Sequence, residues 1–346
     1  MKRWLIFLLV MVMVGSTAYA EKLGTLTQVL RPEMIEISDN EIYVVEEATI
    51  FMYSLKDLRF IRKFGQKGEG PGELKVNPSA TNFLVPLADS VLIVGFDKAI
   101  RFSKTGQVIK EFKIPTFTNY LCPLGKNYVG IRFKPGDKGK ADLAVVIFDQ
   151  DFKVIKELYA QPMSGGQNLI DLTIDSLNIS IYNEKIFIEQ SPKGFLISVF
   201  DTGGNQLYQV KKEYEKIKFT EKHKETVLNR LKEDRQIKAL GWENFKNLVK
   251  IIHGDFLPTI QDMTVADNRI YVKAPHNKND NAEFIIMDLK GNTLKKVYLP
   301  EVKKTKVLDE VLGRPARFYK IYQDKFYYLH ENEEEEEWEL HVEPIK

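Results

Sequence analysis

Ile100-Arg101-Phe102-Ser103-Lys104-Thr105-Gly106-Gln107-Val108-Ile109-Lys110-Glu111-Phe112 is the stretch whose reading decides the fold. Two β-rich runs flank a short polar turn, and Gly106 supplies the left-handed position that a tight antiparallel hairpin demands. The turn recurs as Asp149-Gln150-Asp151-Phe152-Lys153, Asp201-Thr202-Gly203-Gly204-Asn205 and Asp288-Leu289-Lys290-Gly291-Asn292. Counted from Ser54, the turns opening at Ser103, Asp149, Asp201 and Asp288 follow at intervals of 49, 46, 52 and 87 residues. A regular interval of this length marks a stacked repeat array, and the last interval is one unit plus an insertion of about 35 residues.

Working outward from that hairpin, each unit reads as four antiparallel strands. The first copy runs through Ile35 to Ile37, a turn at Ser38-Asp39-Asn40, Ile42 to Val45, Ile50 to Tyr53 and Phe60 to Phe64. The second runs through Phe83 to Val85, a turn at Ala88-Asp89-Ser90, Val91 to Val94, Ile100 to Phe102 and Val108 to Phe112. A sixth unit, with Phe318 to Ile321, Lys325 to Leu329 and Trp338 to Val342, runs out of chain after three strands. Leu23 to Leu30 is the expected donor of the fourth, which closes the ring and removes the exposed sheet edges an open array would leave. The expected fold is therefore all-β, a six-bladed β-propeller over residues 21–346 whose last blade is closed by the N-terminal strand.

Residues 220–252 break the strand pattern between blades four and five and read as a small helical insertion. Thr220 suits a cap, and Val227, Leu228 and Leu231 share a face; after a break near Gly241, so do Phe245, Leu248, Val249 and Ile252. Two amphipathic helices are expected, either as a cap packed over the propeller rim or as a lid or partner-docking element.

Lys2 and Arg3 precede an apolar run from Trp4 to Val14, which is followed by Ala18-Tyr19-Ala20. This is the pattern of a secretory signal peptide over residues 1–20, too short in its apolar part to span a bilayer. The mature chain is expected in the periplasm or outside the cell, with no transmembrane segment. The whole chain carries 50 Lys and Arg against 48 Asp and Glu, so loss of Lys2 and Arg3 brings the net charge to zero. Nucleic acid is set aside as a partner, because phosphate contacts call for a basic excess. Cys122 is the single cysteine and has no internal disulfide partner, so it reads as a small buried hydrophobe.

The segment Phe64-Gly65-Gln66-Lys67-Gly68-Glu69-Gly70-Pro71-Gly72-Glu73-Leu74, with Pro78 beyond it, resembles the blade junction of NHL-repeat propellers. Asp97 followed by Ile100-Arg101-Phe102 fits the same repeat. The chain looks like exported bacterial six-bladed propellers that carry one Gly-Pro-Gly-Glu junction. That resemblance implies a fold shared by lyases, lactonases, receptors and scaffolds, and so does not choose among them.

The junction has no Lys-Ser or Lys-Thr pair and no following helix, so it is not a phosphate loop. Its glycines are expected to permit positive φ where the chain passes from one blade to the next. The run Glu331 to Glu337 lacks the alternation and turn glycine of a calcium loop and reads as a solvated hairpin. Ser164-Gly165-Gly166 reads as a loop, with no nucleophile elbow in the chain. His253, with His276 and His330 in the middle hairpin loops of blades five and six, is expected on one face, where convergence would make a metal site.

In a propeller the middle-hairpin loops and the starts of successive blades share one mouth of the channel. Glu47, Asp97, Arg132, Glu189, Lys273, His276 and His330 lie near the ends of second strands and are the expected ligand-binding residues; no catalytic residue is assigned. The leading functional expectation is a non-catalytic module of the envelope or exterior that binds a protein or a polar small molecule. The alternatives are a metal-dependent hydrolase or lyase at the channel and a structural scaffold of an envelope complex. No cofactor is expected, a divalent metal being the one that the chemistry leaves open. A ring of acids, asparagines or histidines would favour the enzyme, but the inner strands read mainly apolar.

Overall fold

The computed structural model describes residues 20–76, 82–115, 118–135, 141–162, 169–173, 177–302 and 317–345. Residues 1–19 of the expected signal peptide, Pro78 and the Ser164–Gly166 loop lie outside these residues. Six four-stranded antiparallel sheets form the blades. Blade one comprises Met34–Ser38, Glu41–Glu46, Thr49–Ser54 and Phe60–Phe64. Blade two comprises Phe83–Pro86, Ser90–Val94, Lys98–Ser103 and Val108–Lys113. Blade three takes Thr118–Leu124, Asn127–Pro135, Ala141–Phe148 and Val154–Pro162. Blade four takes Ile179–Tyr182, Lys185–Glu189, Leu196–Phe200 and Gln206–Lys211. Blade five takes Asp262–Ala266, Arg269–Lys278, Asn281–Asp288 and Thr293–Pro300.

Blade six combines Tyr319–Tyr322, Lys325–Asn332 and Glu337–Pro344 with Glu21–Thr25 from the other end of the chain. Ring closure is thus as expected, but the closing strand is shorter than Leu23 to Leu30. Its pairing shifts register between Lys22 and Gly24, and Leu26 makes the last backbone bond, to the Trp338 carbonyl. Beyond that point the chain turns; Leu26 and Val29 are buried, whereas Leu30 is 76% exposed.

Local turn chemistry explains why the blades form where they do. The first hairpins of blades one, four, five and six turn on Asp39-Asn40, Asn183-Glu184, Asp267-Asn268 and Gln323-Asp324, with positive φ at both residues of each pair. Such two-residue turns match the right-handed twist of the strands. In the outer hairpins, Asp149, Asp201 and Asp288 turn their carboxylates onto backbone N–H groups of their own turns. Gly106, Gly204 and Gly291 hold the left-handed position, taken in blade three by Phe152 at φ 60°. These glycines also sit tight against the preceding blade: a Cβ on Gly291 would lie 2.5 Å from Val210.

The core lies between the faces of adjacent blades. Ile35 and Ile37 of blade one pack with Leu329, Trp338 and Leu340 of blade six; Phe284 and Ile286 of blade five pack with Phe326 and Tyr328 on its other side. A larger cluster runs from Met34 through Leu92 and Val129 to Ile188, joining blades one to four. Because the strands alternate in direction, second-to-third strand loops and blade-to-blade connections share one face, here termed the upper face.

The junction after blade one uses its glycines in two ways. Gly65 and Gly72 take positive φ, at 78° and 76°. Gly68 and Gly70 instead make room for Glu73, whose carboxylate accepts the Gly70 N–H and the Gln66 side-chain amide. Gly72 N–H donates to the Glu111 carboxylate of blade two, which tethers the junction.

The insertion holds three helices rather than two: α1 (Glu221–Glu233), α2 (Arg235–Leu240) and α3 (Trp242–Leu248). Thr220 caps α1 in a reciprocal bond pair with His223. Asp234 ends α1 and caps α2, a break that apolar spacing alone does not reveal. The end of the expected helical region is a strand, Lys250–Ile252, parallel to Leu169–Asp171. Ile170 and Leu172 join Leu231, Ile237 and Phe245 in a small separate core. The insertion is therefore fastened to the connection between blades three and four.

Candidate functional site

The innermost strands start at the upper face, and several start on buried polar residues. Asn82, Thr118, Asn178 and Thr259 are all at least nine-tenths buried at or just before the first strands of blades two to five. Asn82 Nδ2 donates to the Glu47 carbonyl at 2.7 Å, so the start of one blade fixes the middle loop of the preceding blade. The inner strands themselves are mainly apolar, and these polar residues gather at or before their starts.

Glu36 is 4% exposed in the apolar strand Met34–Ser38. Its carboxylate receives Lys320 Nζ directly, and Arg317 approaches its other oxygen at 3.7 Å. Arg317 belongs to the approach to blade six, yet its guanidinium lies over the rings of Phe83 in blade two and Tyr120 in blade three. These blades are not neighbours of blade six, so only the axis of the ring can bring the three together. Burial works against the Arg317 charge, but Tyr120, Glu36 and Asp262 around it hold its pKa above the usual value. Burial also pushes the Cys122 thiol up to about 12, so it stays protonated.

The ionic chain continues into blade five. Tyr319 donates to Asp262 Oδ2 at 2.5 Å, and Asp262 lies opposite Lys273 in the strand register. Lys273 Nζ bonds Glu301 Oε1 at 2.6 Å, with both side chains less than a quarter exposed. Glu301 Oε2, Thr259 Oγ1, Thr118 Oγ1 and Arg132 Nε are buried without a hydrogen-bond partner among the described residues. Buried polar atoms of this kind usually have partners, and leaving them unpaired costs stability.

Of the seven residues expected at the mouth, only Lys273 belongs to this ionic chain. Arg132 lies opposite Thr118 in blade three. Glu47 is exposed at φ 53° and 3.9 Å from Lys67, and Asp97 is 3.6 Å from Lys75. Glu189 is fully buried and accepts from the Ser191 hydroxyl and backbone N–H and from the Asn178 N–H, so it braces the middle loop of blade four. His276 and His330 lie within strands rather than in loops, because the second strands of blades five and six extend to Lys278 and Asn332. Among the described residues no two of the seven share a hydrogen bond or ion pair.

The three histidines on which a metal site would rest have separate surroundings. His253 stacks on Phe219, His276 meets Tyr214 and His330 meets His341. No group of three metal-ligating side chains assembles among the described residues. Sequence reasoning missed Glu36, Asp262, Glu301, Arg317, Tyr319 and Lys320. A signal existed for two of them: Glu36 and Lys320 each interrupt an otherwise apolar inner strand.

A family described as a 6-bladed beta-propeller matches residues 25–256. No curated protein matches the chain. Among solved structures, a candidate exported protein from Bacteroides fragilis NCTC 9343 is similar with TM-score 0.55 and 14% identity, covering 94% of each chain. A member of the duf4221 family from Bacteroides vulgatus is similar with TM-score 0.51 and 12% identity, covering 94% of this chain and 96% of its own. At such identities the likeness is one of fold. No helix among the described residues is long and apolar enough to cross a membrane.

Proposed function

Because the chain belongs to the DUF5128 family of 6-bladed beta-propellers, we propose that it is a non-catalytic binding module that takes a polar or charged ligand at the upper mouth of its axial channel. One observation carries this reading: Glu36, Arg317, Lys320, Asp262, Lys273 and Glu301 bring six charges together at the axis. Apolar residues there would stabilise the ring at least as well, so the charges are better understood as recognition groups. The insertion is fastened to the connection between blades three and four, which lies on the same face. The signal-like N-terminus supports action in the periplasm or outside the cell, and the fold likeness to a candidate exported protein agrees with it. The NHL-type likeness rests on the junction residues and on Asp97 with Ile100-Arg101-Phe102.

The test is a thermal-shift screen of residues 21–346 against polar small molecules, followed by hydrogen exchange on the hits. Ligand-induced protection is expected at residues 34–38, 118–124 and 317–322. Protection confined to residues 221–248 overturns the channel reading. Turnover of a bound compound, or one equivalent of tightly held metal, favours the hydrolase or lyase instead.

A further inference from the structure

Arg317 differs from the other axial charges in what it leaves uncommitted. Its guanidinium lies 5.6 Å from the Phe83 ring centroid and 5.7 Å from that of Tyr120, two rings themselves 4.4 Å apart. An arginine held near aromatic rings by cation–π attraction spends none of its N–H donors on them. Among the described residues the Arg317 side chain makes no hydrogen bond. Its one ionic contact among the described residues, to Glu36, is long at 3.7 Å, and Glu36 is already held by Lys320. The side chain is 15% exposed, so part of it remains accessible.

The geometry points to Arg317 as the anchor for a carboxylate of the ligand, gripped by the guanidinium fork, with Phe83 and Tyr120 as the platform beside it. This inference rests on the channel being the binding site and names the chemistry recognised there. A flat monoanion fits better than phosphate for two reasons. The six axial charges sum to zero, and Lys320 and Lys273 are engaged by Glu36 and Glu301, which leaves Arg317 as the uncommitted cation of the six. The faces of the Phe83 and Tyr120 rings are apolar, which suits a flat organic acid better than a phosphate.

Calorimetric titration of residues 21–346 at pH 7 with benzoate, acetate and inorganic phosphate tests the assignment. Benzoate is expected to bind more tightly than acetate, with phosphate weakest. Arg317→Gln and Arg317→Lys should each weaken benzoate by about ten-fold or more, the lysine variant failing because charge without the fork is not enough. Phe83→Leu keeps the fork and should weaken benzoate more than acetate, which gives a readout if the Arg317 variants fold poorly. Unchanged benzoate affinity in Arg317→Gln, phosphate binding tighter than benzoate, or no carboxylate binding to the unmodified chain overturns the assignment. If other polar compounds still protect residues 317–322 in that last case, the channel reading stands and only the carboxylate falls.

Discussion

Lys22 Nζ lies 2.6 Å from Glu339 Oε1, a contact between residues 317 positions apart that fastens the closing strand to blade six. Glu339 also accepts from Asn332 and faces His341 Nε2 at 2.7 Å. The Lys22 bond is the main reason its carboxyl pKa falls to about 2, with His341 and Asn332 adding to the effect.

That shift gives a pH dependence with a definite sign. An unfolded glutamate titrates near pH 4.3, so the contribution of Glu339 is complete above about pH 5 and declines as pH falls towards the folded value. The melting temperature of Glu339→Gln should therefore lie below that of the unmodified chain at pH 7, with the gap narrowing steadily towards pH 3. A gap that is constant with pH contradicts the ionic account.

Removing the closing strand should be far more damaging. Leu26 and Val29 are buried in the cluster shared by blades one and six. Each contributes about 1.5–3 kcal/mol against a typical total of roughly 5–15 kcal/mol. Deleting residues 21–31 should abolish cooperative melting by calorimetry, whereas Leu30→Ser, at an exposed position, should change little.

The junction glycines should respond unequally to valine. Gly72 has φ 76° and a Cβ there would meet Val108 at 3.1 Å, so Gly72→Val should cost about 1–3 kcal/mol through backbone strain. Gly70 has no positive φ, and its added Cβ would meet only the Glu73 carboxylate, at 3.0 Å, so the side chain can yield. Urea denaturation should rank Gly72→Val clearly below Gly70→Val.

Lys273→Ala should destabilise by about 1–3 kcal/mol, because it leaves the largely buried Glu301 carboxylate without its cation. Adding Glu301→Ala should recover part of that loss in a double-mutant cycle. Single-variant losses that simply add in the double variant show that the pair is not coupled.

The sequence by itself determined the architecture. Repeated turns that open with aspartate and place glycine at the left-handed position, such as Asp288 to Asn292, are local chemistry, and their spacing counts blades whatever the rest of the chain does. Apolar alternation likewise marked which strands exist, and the three unpaired strands at one end called for a fourth from the other. Helix breaks were less legible, since Asp234 ends one helix and starts the next without disturbing the apolar pattern. The candidate site was decided only by the tertiary structure. Arg317, Phe83, Tyr120 and Glu36 come from four blades and share no local spacing, so nothing in the sequence associates them. They meet because ring closure brings one end of each innermost strand to a common axis. Glu189 shows the converse: it has the position expected of a mouth residue, yet its burial against Ser191 and Asn178 gives it a bracing role.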